Sequence, residues 1–69
     1  MNVPELKAEM VRNNMTQKDL AAKMNVSQQA ISYKLSGKRR VFLDEAAAIS
    51  EALGMDASTI MKIFFDWNF

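Results

Sequence analysis

The chain has 69 residues, of which 49% are hydrophobic and 25% charged, with a net charge of +1. This composition is typical of one folded domain and excludes a disordered chain. The absence of cysteine and histidine excludes disulfides, thiolate chemistry, and the commonest metal ligand and acid–base group.

Five helices and no strands are predicted, at about 3–13, 17–24, 28–35, 43–53 and from 57 onward. The breaks fall at residues that tolerate a left-handed backbone, namely Asn14, Asn25, Gly37 and Gly54. Pro4 suits a first helical turn, and Thr16 with Asp19 matches a capping box. The fourth helix has no evident cap in Val41-Phe42-Leu43. We expect an all-α, compact five-helix domain that covers residues 1–69.

Helical spacing gives each segment an apolar stripe. The residues expected to face inward are Leu6, Met10, Leu20, Ala21, Met24, Ile31, Leu35, Phe42, Ala46, Ile49, Leu53, Ile60, Met61, Ile63 and Phe64. The six methionines are interpreted as core filler.

The second and third helices are separated only by Asn25-Val26-Ser27. So short a connection forces a steep crossing, which the small Ala21 permits, and we expect Val26 to fill the corner. This arrangement is a helix-turn-helix, whose second helix is presented to the DNA major groove.

The outer face of that helix carries neutral hydrogen-bonding groups, on Gln28, Gln29, Ser32 and Tyr33. Glutamine can pair with the adjacent donor and acceptor of adenine in the major groove. A solvated face without charge is the alternative. The position directly after the corner favours base contacts by these four residues.

Charge is unevenly distributed along the chain. Residues 1–40 contain eight Lys or Arg and three acids, whereas residues 41–69 contain one Lys and five acids. The basic run Lys38, Arg39 and Arg40 follows the third helix, which favours phosphate contacts over a merely solvated loop. Gln17 and Ser27 stand at helix starts, where backbone N–H groups favour an anion. We place both with the phosphate contacts, although an exposed first-turn role for Gln17 is equally open.

The segment "MTQKDLAAKMNVSQQAISYKLSGKR", residues 15–39, resembles the lambda-repressor-like (Cro and repressor, or XRE) helix-turn-helix family, and "FLDEAAAISEALGM", residues 42–55, resembles the fourth helix of that family. The ending "IMKIFF", residues 60–65, and the stretch "YKLSGK", residues 33–38, look most like small phage or prophage regulators. The resemblance implies a dimer on double-stranded operator DNA, with bases approached by the four residues of the polar face. Many family members carry an Arg–Glu ion pair where this chain has Met10 and Leu35, so we expect these two apolar residues to touch.

Four of the six aromatic residues lie at the end of the chain, at Phe64, Phe65, Trp67 and Phe69. The tail either covers its own core or pairs two chains across a two-fold axis. We expect Phe64 to face inward, and Phe65, Trp67 and Phe69 to form the interface of a weak homodimer that operator DNA strengthens.

The leading hypothesis is a transcriptional repressor that occludes a promoter. The alternative is a protein-interaction module of the same fold, such as an antitoxin or antirepressor partner. No catalytic spacing is evident, so we do not expect an enzyme. We expect no cofactor, metal or small-molecule ligand, and regulation by concentration alone. The chain start lacks the pattern of a signal peptide and no apolar run is long enough to span a membrane, which predicts the bacterial cytoplasm.

Overall fold

A computed structural model describes residues 1–37 and 41–65 of the chain. This part contains five helices and no strand. The helices are α1 (Val3–Arg12), α2 (Gln17–Met24), α3 (Gln28–Leu35), α4 (Leu43–Leu53) and α5 (Ala57–Phe64). The predicted all-α fold is therefore confirmed, with helix bounds within about one residue of those expected from sequence.

The helix breaks follow from local backbone chemistry. Asn14, Asn25, Gly37 and Gly54 all have positive φ, between 53° and 77°. Asparagine and glycine adopt this left-handed conformation most readily, which is why they can end one helix and redirect the chain toward the next.

The core lies where all five helices meet. Each helix contributes one of the largest fully buried side chains, which are Leu6, Leu20, Ile31, Ile49 and Ile63. Met10 and Leu35 stand where many family members have an Arg–Glu ion pair. Both belong to the same buried apolar cluster, in which packed apolar groups can replace such a pair. Helix α2 packs against both α3 and α4, while α1 packs against α5. The two ends of the fold are also joined by the backbone, because the N–H of Asn2 donates to the carbonyl of Ile63 at 2.6 Å.

Two residues expected inside are at the surface. Val26 does not fill the corner: it is 40% exposed. Its N–H donates to the carbonyl of Ala21 at 3.0 Å, so the turn holds its backbone against the end of α2 and leaves the side chain outside. Phe42 is 56% exposed because it is the extended N-cap residue of α4, outside the helical register of the apolar stripe.

The missing cap of α4 is replaced from within the helix. The Glu45 carboxylate accepts the backbone N–H of Phe42 at 3.1 Å, and the Asp44 carboxylate accepts the N–H of Glu45 at 2.9 Å. Each helix in the described part of the chain is too short or too polar to span a membrane.

Candidate nucleic-acid interface

The polar face of α3 is exposed to solvent. Gln28, Gln29, Ser32 and Tyr33 are all exposed, and helical geometry places them on one side. Three of them and Ser36 line a surface depression of about 240 Å³. The structure therefore brings the four predicted base-contacting residues together. Ser36 joins this face and was missed, although its spacing of four residues from Ser32 is the helical repeat that could have revealed it.

The orientation of α3 is determined by its buried side and its cap. Ile31 and Leu35 are 1% and 5% exposed and hold the helix against the core. Ser27 is the N-cap residue, and its hydroxyl accepts the N–H of Ala30 at 3.1 Å. Ser27 is exposed, so its hydroxyl can still donate a hydrogen bond to solvent or to a ligand.

The start of α2 forms the second part of the candidate interface. The predicted capping box is present: the N–H of Asp19 donates to the Thr16 hydroxyl, and the N–H of Thr16 donates to the Asp19 carboxylate. Hydrogen bonds from the backbone and hydroxyl of Thr16 lower the pKa of Asp19. The backbone N–H groups of Gln17 and Lys18 donate to no acceptor within the described residues, so they are available to an anion.

Lys34 does not contribute its charge to this interface. It is 4% exposed, and its Nζ lies 2.8 Å from Oε2 of Glu45. The sequence by itself assigns Lys34 only a share in the positive charge of residues 1–40. Its spacing of three residues from Ile31, on the apolar side of α3, is the signal that could have predicted its burial.

The positive charge of Arg12 is also balanced by acids. Its guanidinium nitrogen lies 3.4 Å from a carboxylate oxygen of Glu5 and 2.5 Å from one of Glu9. The exposed basic residues before Gly37 that form no ion pair with a described residue are Lys7, Lys18 and Lys23. Positive charge is thus more concentrated on α2 and the segment after α3 than the net charge of residues 1–40 indicates.

Comparison with known proteins was made against family models, curated proteins and solved structures. The model of the Helix-turn-helix family matches residues 6–60, which include most of α1, all of α2 to α4 and the first part of α5. The chain belongs to the XRE-type helix-turn-helix family. It is a DNA-binding regulator of the XRE type. Neither the curated proteins nor the solved structures gave a match.

In this XRE-type regulator the polar face of α3, the start of α2 and the turn between them all lie within the matched range. The predicted phosphate contacts Lys38, Arg39 and Arg40 lie outside the described residues. They stay predictions, although Gly37 ends α3 in a left-handed conformation directly before them.

A second surface of the XRE-type regulator, mainly on α4 and α5, exposes large apolar side chains. Leu43 and Phe65 are 73% and 51% exposed. Both line two adjoining grooves of about 590 and 600 Å³, one of which reaches back to Gly37. Phe65 was predicted as a dimer contact, and it is exposed as that role requires. Trp67 and Phe69, predicted with it, lie outside the described residues. The exposure of Leu43 was not predicted from the sequence.

Proposed function

We propose that this chain is a transcriptional repressor that binds a specific operator and occludes a promoter, like the small Cro-like regulators of phages and prophages. The observation that carries the proposal is the exposed, uncharged hydrogen-bonding face of α3 directly after the helix-turn-helix corner. Non-specific attraction to DNA needs only positive charge, whereas reading a sequence needs donors and acceptors aimed at the base edges.

In this mechanism the two parts of the interface have different tasks. The N–H groups of Gln17 and Lys18, the Ser27 hydroxyl and the basic run 38–40 bind phosphates and fix the position of the domain on the duplex. That position places Gln28, Gln29, Ser32 and Tyr33 in the major groove, where they discriminate between base pairs. A repressor bound across promoter elements then denies them to RNA polymerase in the cytoplasm of the host.

We further propose that the operator is bound by two copies of the chain, which meet through the apolar surface of Leu43 and Phe65. Three observations support a second copy as the occupant. The surface exposes large apolar side chains, it extends to the end of α3 through Gly37, and an aromatic tail follows it directly. A two-fold contact there would fix the spacing of two reading helices. The acidic character of residues 41–69 opposes self-association, so we expect the dimer to be weak in the absence of DNA.

Selection of bound duplexes from a random pool tests this function. The expected product is a two-fold symmetric consensus whose half-sites lie about one helical turn apart. A promoter that contains this consensus between its polymerase contacts should be silenced in a purified transcription reaction. The same promoter with the consensus moved well upstream should remain active. Enrichment of no sequence would contradict the proposal and favour the protein-interaction module.

A further inference from the structure

A buried ion pair joins the reading helix to α4. Lys34 is the only buried charged residue in the described part of the chain, and its Nζ lies 2.8 Å from Oε2 of Glu45, whose side chain is 19% exposed. The other carboxylate oxygen of Glu45 accepts the N–H of Phe42 at 3.1 Å. The carboxylate is therefore anchored to the backbone at the start of α4, and Lys34 is anchored to the carboxylate.

Lys34 lies on the back of the reading helix. It follows Ser32 by two residues, which corresponds to a rotation of about 200° around the helix axis. The neighbouring buried residues of α3, Ile31 and Leu35, are apolar, and apolar contacts do not depend on direction. Because α3 packs mainly against α2 and has few close backbone contacts with α4, the ion pair is a directional link between α3 and α4 in the described part of the chain.

Net stability does not explain why this pair is present. Removing two charges from water costs about as much as their attraction returns, and apolar residues of similar size often stabilise a core equally well. A directional contact does, however, oppose rotation of α3 about its axis. Side chains that read base edges must be held within about 10–20° of their productive orientation.

We propose that the Lys34–Glu45 pair sets the rotation of α3 and so determines which side chains of its polar face reach the bases. Lys34 is then a positioning residue that acts through Gln28 and Gln29. Its positive charge makes no phosphate contact. This inference rests on the proposed sequence-specific binding of DNA.

The test replaces both partners with neutral side chains of similar shape, in the double variant Lys34→Met with Glu45→Gln. A single substitution would leave one charge buried without its partner, whereas the amide introduced by Glu45→Gln keeps an oxygen that can accept the N–H of Phe42. The probes are a duplex selected by the intact chain and a shuffled duplex of equal length. We expect an unchanged circular dichroism spectrum, unchanged affinity for the shuffled duplex, and about tenfold weaker binding to the selected one, equivalent to one lost base contact.

Two controls separate orientation from charge and fold. Lys7→Met removes one exposed positive charge from α1 and should keep the preference for the selected duplex. Lys34→Arg keeps a cationic donor and should retain more of that preference than the double variant. The proposal is overturned if the folded double variant keeps the preference of the intact chain, or if it cannot fold, because the pair would then serve the fold alone. If the intact chain itself shows no preference, the proposed function is what fails.

Discussion

The hydroxyl of Thr16 lies 2.8 Å from the carboxylate of Asp19, which puts a negative charge at the helix end where we propose that a phosphate binds. On this proposal the capping box stabilises α2 and disfavours a bound phosphate at the same helix end. We predict that Asp19→Asn lowers the melting temperature at pH 7 and raises the affinity for every DNA sequence. Asp56→Asn is the matched control, since Asp56 caps α5 through the N–H of Thr59. It should lower the melting temperature without raising DNA affinity.

The same carboxylates predict how stability depends on pH. Hydrogen bonds from Thr16 lower the pKa of Asp19, and those from Thr59 and Ser58 lower the pKa of Asp56. A carboxyl whose pKa is lower in the folded state stabilises the fold above its unfolded pKa, near 3.9, and loses this contribution as the pH falls through the folded value. The melting-temperature difference between the intact chain and Asp19→Asn should therefore shrink from pH 7 toward pH 3. A melting-temperature difference that stays constant over this range would show that ionised Asp19 does not stabilise the fold.

Three glutamines of the candidate interface should differ in whether their loss affects specific or non-specific DNA binding. Gln28→Ala and Gln29→Ala should each cost about 1–3 kcal/mol on the selected duplex and leave binding to shuffled DNA nearly unchanged. Gln17 lies at the start of α2. If it contacts phosphate, Gln17→Ala should lower the affinity for both duplexes to the same extent. Fluorescence anisotropy with both duplexes measures each effect. Equal losses on both duplexes for Gln28→Ala and Gln29→Ala would show that these residues are not readers.

The basic run after α3 should act through phosphates. Replacing Lys38, Arg39 or Arg40 with methionine should weaken binding to all sequences and reduce the slope of log affinity against log salt by about 0.9 for each lost contact. The double variant of Lys34 and Glu45 should leave that slope unchanged, because the Lys34 charge is buried and paired. Unchanged slopes in all three variants would show that Lys38, Arg39 and Arg40 make no phosphate contact.

The apolar surface of α4 and α5 is tested by substituting a single residue. Leu43→Ser should weaken dimerisation about tenfold, since it removes a leucine side chain from a buried contact. Val11→Ser is the matched control, because Val11 is 79% exposed on α1 and belongs to no proposed contact. Analytical ultracentrifugation with and without the selected operator gives both values. Equal dimerisation of the Leu43→Ser and Val11→Ser variants would exclude this surface.

The contribution of residues 66–69 to dimerisation can be measured separately, with a chain truncated after Phe65. If this chain remains folded and binds the operator as cooperatively as the intact chain, Trp67 and Phe69 are not dimer contacts.

Features governed by neighbouring residues could be predicted from the sequence. The left-handed turns at Asn14 and Asn25 and the cap formed by Thr16 and Asp19 depend on chemistry within a few residues, so they were found in place. The helix-turn-helix followed from the three-residue connection between α2 and α3, and the polar face of α3 from its neutral hydrogen-bonding residues.

Features governed by distant contacts could not be predicted in the same way. The spacing along α3 places Lys34 on the buried side, but its counter-charge comes from Glu45, eleven positions along the chain, and no local pattern indicates that partner. Val26, Phe42 and Leu43 are apolar like core residues but exposed, and for Val26 and Phe42 the turn and the N-cap position keep the side chain outside the core. Hydrophobicity alone does not distinguish a core residue from one on an interaction surface.

The central claim is that α3 reads bases directly, and a change of specificity tests it most directly. Arginine pairs with guanine as glutamine pairs with adenine, so Gln28→Arg and Gln29→Arg should each change the selected consensus. The measurement is repeated selection from the random pool with each variant. We predict that each variant exchanges adenine for guanine at its own pair of symmetry-related positions and leaves the rest of the consensus unaltered. An identical consensus for the intact chain and both variants would contradict the claim.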